Sequence, residues 1–126
     1  MIHFVGAGSG AVDLITVRGQ KLLEEADIVV YAGSLVNPEL LKNCQKDCQI
    51  YNSAKMTLEE VMEVMISGEK QEKKVVRLHT GDPCLYGAIR EQMDHLDELG
   101  IVYDSCPGVS AFCGAASALN LELSLI

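Results

Sequence analysis

The sequence predicts an α/β domain: a single three-layer unit with helices on both faces of a five-stranded, mainly parallel sheet. Three observations carry this. Apolar runs of strand length alternate with helical segments along the chain. One run, Asp27-Ile-Val-Val-Tyr31, is continuously apolar in its middle, the composition of a strand buried on both faces. At 126 residues and 48% hydrophobic content the chain can bury one real core.

Each element follows in order. Residues 2–5 form a short strand that runs into glycines 6, 8 and 10, and a helix is expected from about Leu14 to Ala26. Strand two is 27–31. Asn37-Pro38 reads as a helix start, with Asn as cap and Pro in the first position. Residues 48–51 make a weak third strand. Thr57 and Glu60 form a capping box, with Met56 and Val61 as its hydrophobic staple. Leu58, Val61, Met62, Met65 and Ile66 then make one apolar stripe at helical spacing. Residues 69–74 read as a charged loop and 75–79 as strand four. A helix is expected from Pro83 to Leu99, presenting Ile89, Met93 and Leu96 and stopped by Gly100. Strand five is 101–105, and a small-residue helix follows from about Ser110 to Asn120.

Composition narrows the function. The net charge of −8 repels phosphate backbones, so no nucleic-acid partner is expected. No run approaches a membrane span and no export signal is visible, so a cytoplasmic protein with reduced thiols is expected. Cys44, Cys48, Cys84, Cys106 and Cys113 are odd in number and match no zinc spacing, even with His79 added. They read as small buried hydrophobes, with no metal.

In a parallel sheet, ligands bind beyond the carboxyl ends of the strands. Three loops there carry chemistry. Gly6-Ala-Gly8-Ser-Gly10-Ala11 matches the dinucleotide fingerprint on paper, but strand two ends Tyr31-Ala-Gly-Ser34 without the acid that would hold a ribose. Its glycines equally suit a tight strand-to-helix turn. His79-Thr-Gly-Asp-Pro83 ends strand four. Asp82 caps the following helix on one reading; on another its carboxylate accepts bonds from ribose hydroxyls or an ammonium group. Cys106-Pro-Gly-Val-Ser-Ala111 follows strand five, where Ser110 caps a helix or its amides meet a nucleobase edge.

Taken together, Val5-Gly-Ala-Gly-Ser-Gly10 with Asp13-Leu-Ile-Thr16, Tyr31-Ala-Gly-Ser-Leu-Val-Asn-Pro38, Val76-Arg-Leu-His-Thr-Gly-Asp-Pro83 and Pro107-Gly-Val-Ser-Ala111 resemble the tetrapyrrole methylases. These are S-adenosylmethionine-dependent methyltransferases of corrin and sirohaem synthesis. The second and third stretches are most similar to the branch acting at ring carbon 11 of precorrin-4 or cobalt-precorrin-4. Two departures stand out. Ser9 and Ala11 replace the Pro and Asp of the family's first loop. The chain also stops at Ile126, about where a second α/β domain would begin, so residues 1–126 match the N-terminal domain alone.

The resemblance implies that S-adenosylmethionine is bound by Ser9, Thr80, Gly81, Asp82, Leu85, Ser110 and Ala111. It implies a tetrapyrrole substrate, a homodimer and a first strand lying inside the sheet. It names no catalytic residue; His79 is available as a base, though strand-end histidines usually serve structure. Arg18, Lys55, Arg77 and Arg90 are candidates to offset the substrate's carboxylates. Two other readings stand beside this one: a nicotinamide-dependent domain and a non-catalytic dimerising fragment.

Overall fold

A computed structural model of the chain describes residues 1–33, 36–85 and 89–122. The strands are β1 (Ile2–Gly6), β2 (Ile28–Tyr31), β3 (Gln49–Asn52), β4 (Val75–His79) and β5 (Tyr103–Cys106). The helices are α1 (Val17–Glu25), α2 (Leu58–Lys70), α3 (Arg90–Glu98) and α4 (Ala111–Leu119). The sheet order is β3-β2-β4-β1-β5, and every strand pair is parallel. β1 lies between β4 and β5, inside the sheet as expected.

Alternation along the strands builds the two faces. Val5, Val29, Val76 and Leu78 pack with Leu23 of α1 and Leu40 of a 3₁₀ turn at Pro38–Asn43. Phe4, Ile28, Val30 and Val75 pack on the opposite face with Val61, Met62 and Met65 of α2 and Leu96 of α3. Met56, the expected staple partner of Val61, packs against this second cluster, which contains Val61. The capping box is present: Thr57 Oγ1 accepts from the Glu60 amide and Glu60 Oε1 from the Thr57 amide.

Four boundaries differ most from the sequence reading. α1 begins at Val17, after a 3₁₀ turn at Val12–Leu14, because extended Thr16 caps it by accepting from the Gly19 amide at 2.9 Å. α2 continues to Lys70, so the charged loop starts at Gln71; nothing breaks the helix before Glu72, and buried Gly68 seats it against Ile28 and Val75. Residues 83–85 make a turn rather than the start of a long helix, and α3 begins at Arg90. Residues 86–88, and Ser34, Leu35 and 123–126, lie outside the described residues. β5 begins two residues later than expected because Gly100 (φ 68°) and Ile101 terminate α3. The Gly100 amide bonds to Asp97 O and the Ile101 amide to Leu96 O, the two bonds of a Schellman motif.

Candidate functional site

The loops after β1, β4 and β5 meet because their strands are neighbours in the order β4-β1-β5. Their backbones then touch. The Ala7 amide bonds to His79 O at 2.6 Å, and Gly8 and Gly81 form an isolated antiparallel bridge. Gly81 (φ 65°) needs its glycine for backbone shape. Gly6 needs its glycine for space: a Cβ there would lie 2.5 Å from Gly81 O and 2.8 Å from Gly108 Cα.

Side chains tie the same loops. Asp82 Oδ1 accepts from the Cys84 amide at 2.8 Å, and Oδ2 accepts from the Gly108 amide at 3.3 Å. Asn37 Nδ2 donates to Gly10 O at 2.8 Å, while its Oδ1 accepts from the Glu39 amide. Ser110 Oγ caps α4 by accepting from the Cys113 amide. Ser9 sits against Gly114 of α4, where any Cβ would collide with its hydroxyl.

Thr80, Gly81, Asp82, Leu85, Ser110 and Ala111 line one cleft of about 220 Å³, together with Phe112. Asp82, Leu85 and Ser110 also line a second cleft of about 500 Å³, with Cys84, Gly108, Val109 and Cys113. Ser9 is the one candidate that lines neither described cleft; it buttresses α4 instead. A larger cavity of about 580 Å³ lies elsewhere, between α2 and edge strand β3. It has no strand-end glycines, so the C-terminal edge of the sheet is the better ligand site.

Two features of the smaller cleft suit a polar ligand with an aromatic ring. Thr80 Oγ1 is buried and has no hydrogen-bond partner among the described residues. The Ala111 amide opens α4, where backbone N–H groups have no intrahelical acceptor. Leu85 and Phe112, each about half exposed, supply an apolar wall.

His79 does not face this cleft. It is 5% exposed and stacks on Phe4 with ring centroids 6.3 Å apart. Burial, and secondarily the charge of Arg77, push its pKa down to about 3. Arg77 is equally sequestered: its Nε donates to Gln92 Oε1 and an Nη to Val30 O. Burial pushes its pKa down to about 10. Arg77 therefore cannot meet a substrate carboxylate. Arg90 pairs with Asp94 and Asp97 along α3. Arg18, in the first turn of α1, and Lys55, just after β3, remain as exposed cations near the C-terminal edge.

The thiols divide into two kinds. Cys106 is buried and Cys44 and Cys48 are half-buried, the small hydrophobes expected, and burial is the main cause that pushes the Cys48 thiol up to about 12. Cys84 and Cys113 are exposed at the second cleft, contrary to the expectation for them. They are exposed because residues 83–85 form a turn and only Ala116 of α4 is buried.

The dinucleotide reading of the first loop fails on geometry. The Gly8 amide and carbonyl are spent on Gly81, and the first α-helix starts only at Val17. α1 therefore does not open directly at these glycines, where a dinucleotide fold presents a helix N-terminus to a pyrophosphate. Sequence reasoning missed Asn37, Gly108, Val109 and Phe112. Asn37 carried a signal, a cap beside a Pro, but nothing in that signal pointed to Gly10.

The chain is similar to known proteins along nearly its whole length. A family model described as Tetrapyrrole (Corrin/Porphyrin) Methylases matches residues 1–125. A cobalt-precorrin-4 C(11)-methyltransferase of Methanocaldococcus jannaschii is 54% identical over 124 residues, which are 98% of this chain and 48% of that protein. The solved structure of a cobalt precorrin-4 methyltransferase superposes with TM-score 0.94 at 43% identity, covering 99% of this chain and 52% of that one. A uroporphyrin-III C-methyltransferase from Thermus thermophilus, solved with S-adenosylhomocysteine, gives TM-score 0.82 at 29% identity over 99% of this chain and 53% of that one. The chain spans about half the length of the relatives it matches.

Proposed function

The chain belongs to the tetrapyrrole methylases, and on that premise we propose that it is the N-terminal half of an S-adenosylmethionine-dependent enzyme that methylates carbon 11 of precorrin-4 or cobalt-precorrin-4. The observation that carries this reading is the convergence of Thr80, Gly81, Asp82, Leu85, Ser110 and Ala111 on one cleft at the ligand edge of the sheet. The identity of 54% to a relative named for that reaction supports the choice of substrate. A second half completes the cleft, in keeping with relatives of about twice the length. The protein works in the cytoplasm as a homodimer, for which Leu119 and Leu121 supply exposed apolar surface.

The methyl donor, when bound, supplies a methyl group already activated by a sulfonium charge. The chain's own task is alignment. Gly81 lets the ligand approach the main chain, since it carries no Cβ. The Thr80 hydroxyl and the Ala111 amide hold polar atoms of the donor. Leu85 and Phe112 pack against its ring and exclude water. Ser110 keeps the first turn of α4 in place by capping it. Arg18 and Lys55 offset part of the repulsion between the acidic chain and a substrate rich in carboxylates. His79 takes no proton in this scheme, because burial keeps it neutral and out of the cleft.

Calorimetry tests the reading. S-adenosylhomocysteine is expected to bind the 126-residue chain weakly, with NAD silent. Precorrin-4 turnover by this chain alone is expected to be slight. Heat from NAD and none from S-adenosylhomocysteine overturns the proposal.

A further inference from the structure

We infer that Asp82 is a positioning residue: its carboxylate clamps the β5 loop to the β4 loop and so sets the width of the cleft between Gly81 and Ser110. This rests on the proposed function only in naming the methyl donor as the occupant of that cleft.

A residue that merely shaped the turn at 82–85 would need one oxygen, and Oδ1 meets that need through the Cys84 amide. Oδ2 reaches further and accepts from the Gly108 amide at 3.3 Å, 26 residues along the chain. The clamp acts where tolerance is small. Gly108 lies so close to Gly81 O and Gly6 that neither it nor Gly6 has room for a Cβ. On the cleft side, a Cβ on Gly81 would stand 3.5 Å from both Ser110 Cα and the Ala111 amide nitrogen, ordinary contact distance. Loosening Gly108 therefore shifts Ser110 and Ala111, which follow it closely in the same loop, relative to Thr80 and Gly81.

The test is amide hydrogen exchange of ¹⁵N-labelled chain, wild type and Asp82→Asn, with calorimetry against S-adenosylhomocysteine. Asn keeps one acceptor for the Cys84 amide but offers an NH₂ group to Gly108. Gly108 exchange is expected to speed up about tenfold or more, with Cys84 and the β1 amides changed less than about twofold. Affinity for S-adenosylhomocysteine is expected to fall about tenfold. A Gly108 amide unchanged by the substitution overturns the clamp. So does unchanged affinity once Gly108 has been freed. Should Asp82→Asn fail to fold, wild-type exchange decides: a Gly108 amide as unprotected as that of exposed Gly10 overturns the inference. Silence of the wild type toward S-adenosylhomocysteine overturns the methyl-donor reading and leaves the exchange arm to judge the clamp.

Discussion

On the α2–α3 face, large side chains touch large side chains: Phe4, Ile28, Val30, Met65 and Leu96 are sealed from solvent, and their burial supplies the stabilisation. At the C-terminal edge of β4, β1 and β5 the contacts are of another kind. Glycine backbones pass within van der Waals contact, a two-residue bridge joins Gly8 to Gly81, and Asp82 and Asn37 reach across to main-chain groups. The first region is non-directional and tolerates a change of shape at a cost in energy. The second is directional, and its backbones leave no room for a Cβ at Gly6 or Gly108, which suits a surface that must present donors and acceptors at fixed spacing. Stability and positioning are thus carried by separate parts of one sheet.

The largest expected effect tests that separation. Leu96→Ala should lower unfolding free energy by about 2–5 kcal/mol in denaturant titration. It should leave Gly108 exchange unchanged under native conditions; faster Gly108 exchange would mean the two regions are coupled.

Acid should act through the apolar face next. His79 has a pKa of about 3 in the folded chain against the ordinary 6.5 of an exposed histidine, so the unfolded chain binds the extra proton between those values. Stability from this residue is therefore present above pH 6.5 and lost as pH falls toward 3, by about 4 kcal/mol across the whole window. Unfolding curves from about pH 7 to about pH 4 should show the slope, and His79→Leu should flatten it. Arg77→Met should move the His79 titration upward in ¹H–¹⁵N spectra, since the Arg77 charge is the second cause of the shift.

Space at the ligand edge comes third. Gly6→Ala forces a Cβ onto the Gly81 and Gly108 backbones, and should cost about 1–3 kcal/mol or more and abolish ligand heat. Gly10→Ala has open space on every side but a φ of 124°, so its cost is conformational alone, about 1–2 kcal/mol. Equal losses from the two would contradict the close-packed reading of Gly6. The smallest effect is Asn37→Ala, about 1 kcal/mol, with faster exchange confined to the Glu39 amide and the first loop.

Much of the apolar face is legible in the sequence. The capping box at Thr57, the stripe through Met65 and the strand at 75–79 are local patterns with a fixed period, and the folded chain carries them at those positions. The inner place of β1 came from family resemblance, because order within a sheet leaves no local mark. The ligand edge is legible only as three separate loops. Asp82 looks like a helix cap because Asp-Pro often opens helices, yet its second partner, Gly108, is remote in sequence. Ser9 is named as a ligand group by family resemblance alone; its contact with Gly114 is set by how α4 lands on that loop and leaves no local mark. Leu58 shows the same limit in reverse: it fits the periodic stripe but sits 37% exposed, in the helix's first turn.

The strand order also governs how the chain is made. Of the five strands β1 leaves the ribosome first, but its neighbours are residues 75–79 and 103–106, so it has nothing in this sheet to pair with until those have emerged. At roughly 5–20 residues per second that wait lasts several seconds. β2 and β3 can pair early, but they cannot shelter β1, since β4 stands between. An inner strand of the finished sheet is therefore the one of the five that waits longest for its partners.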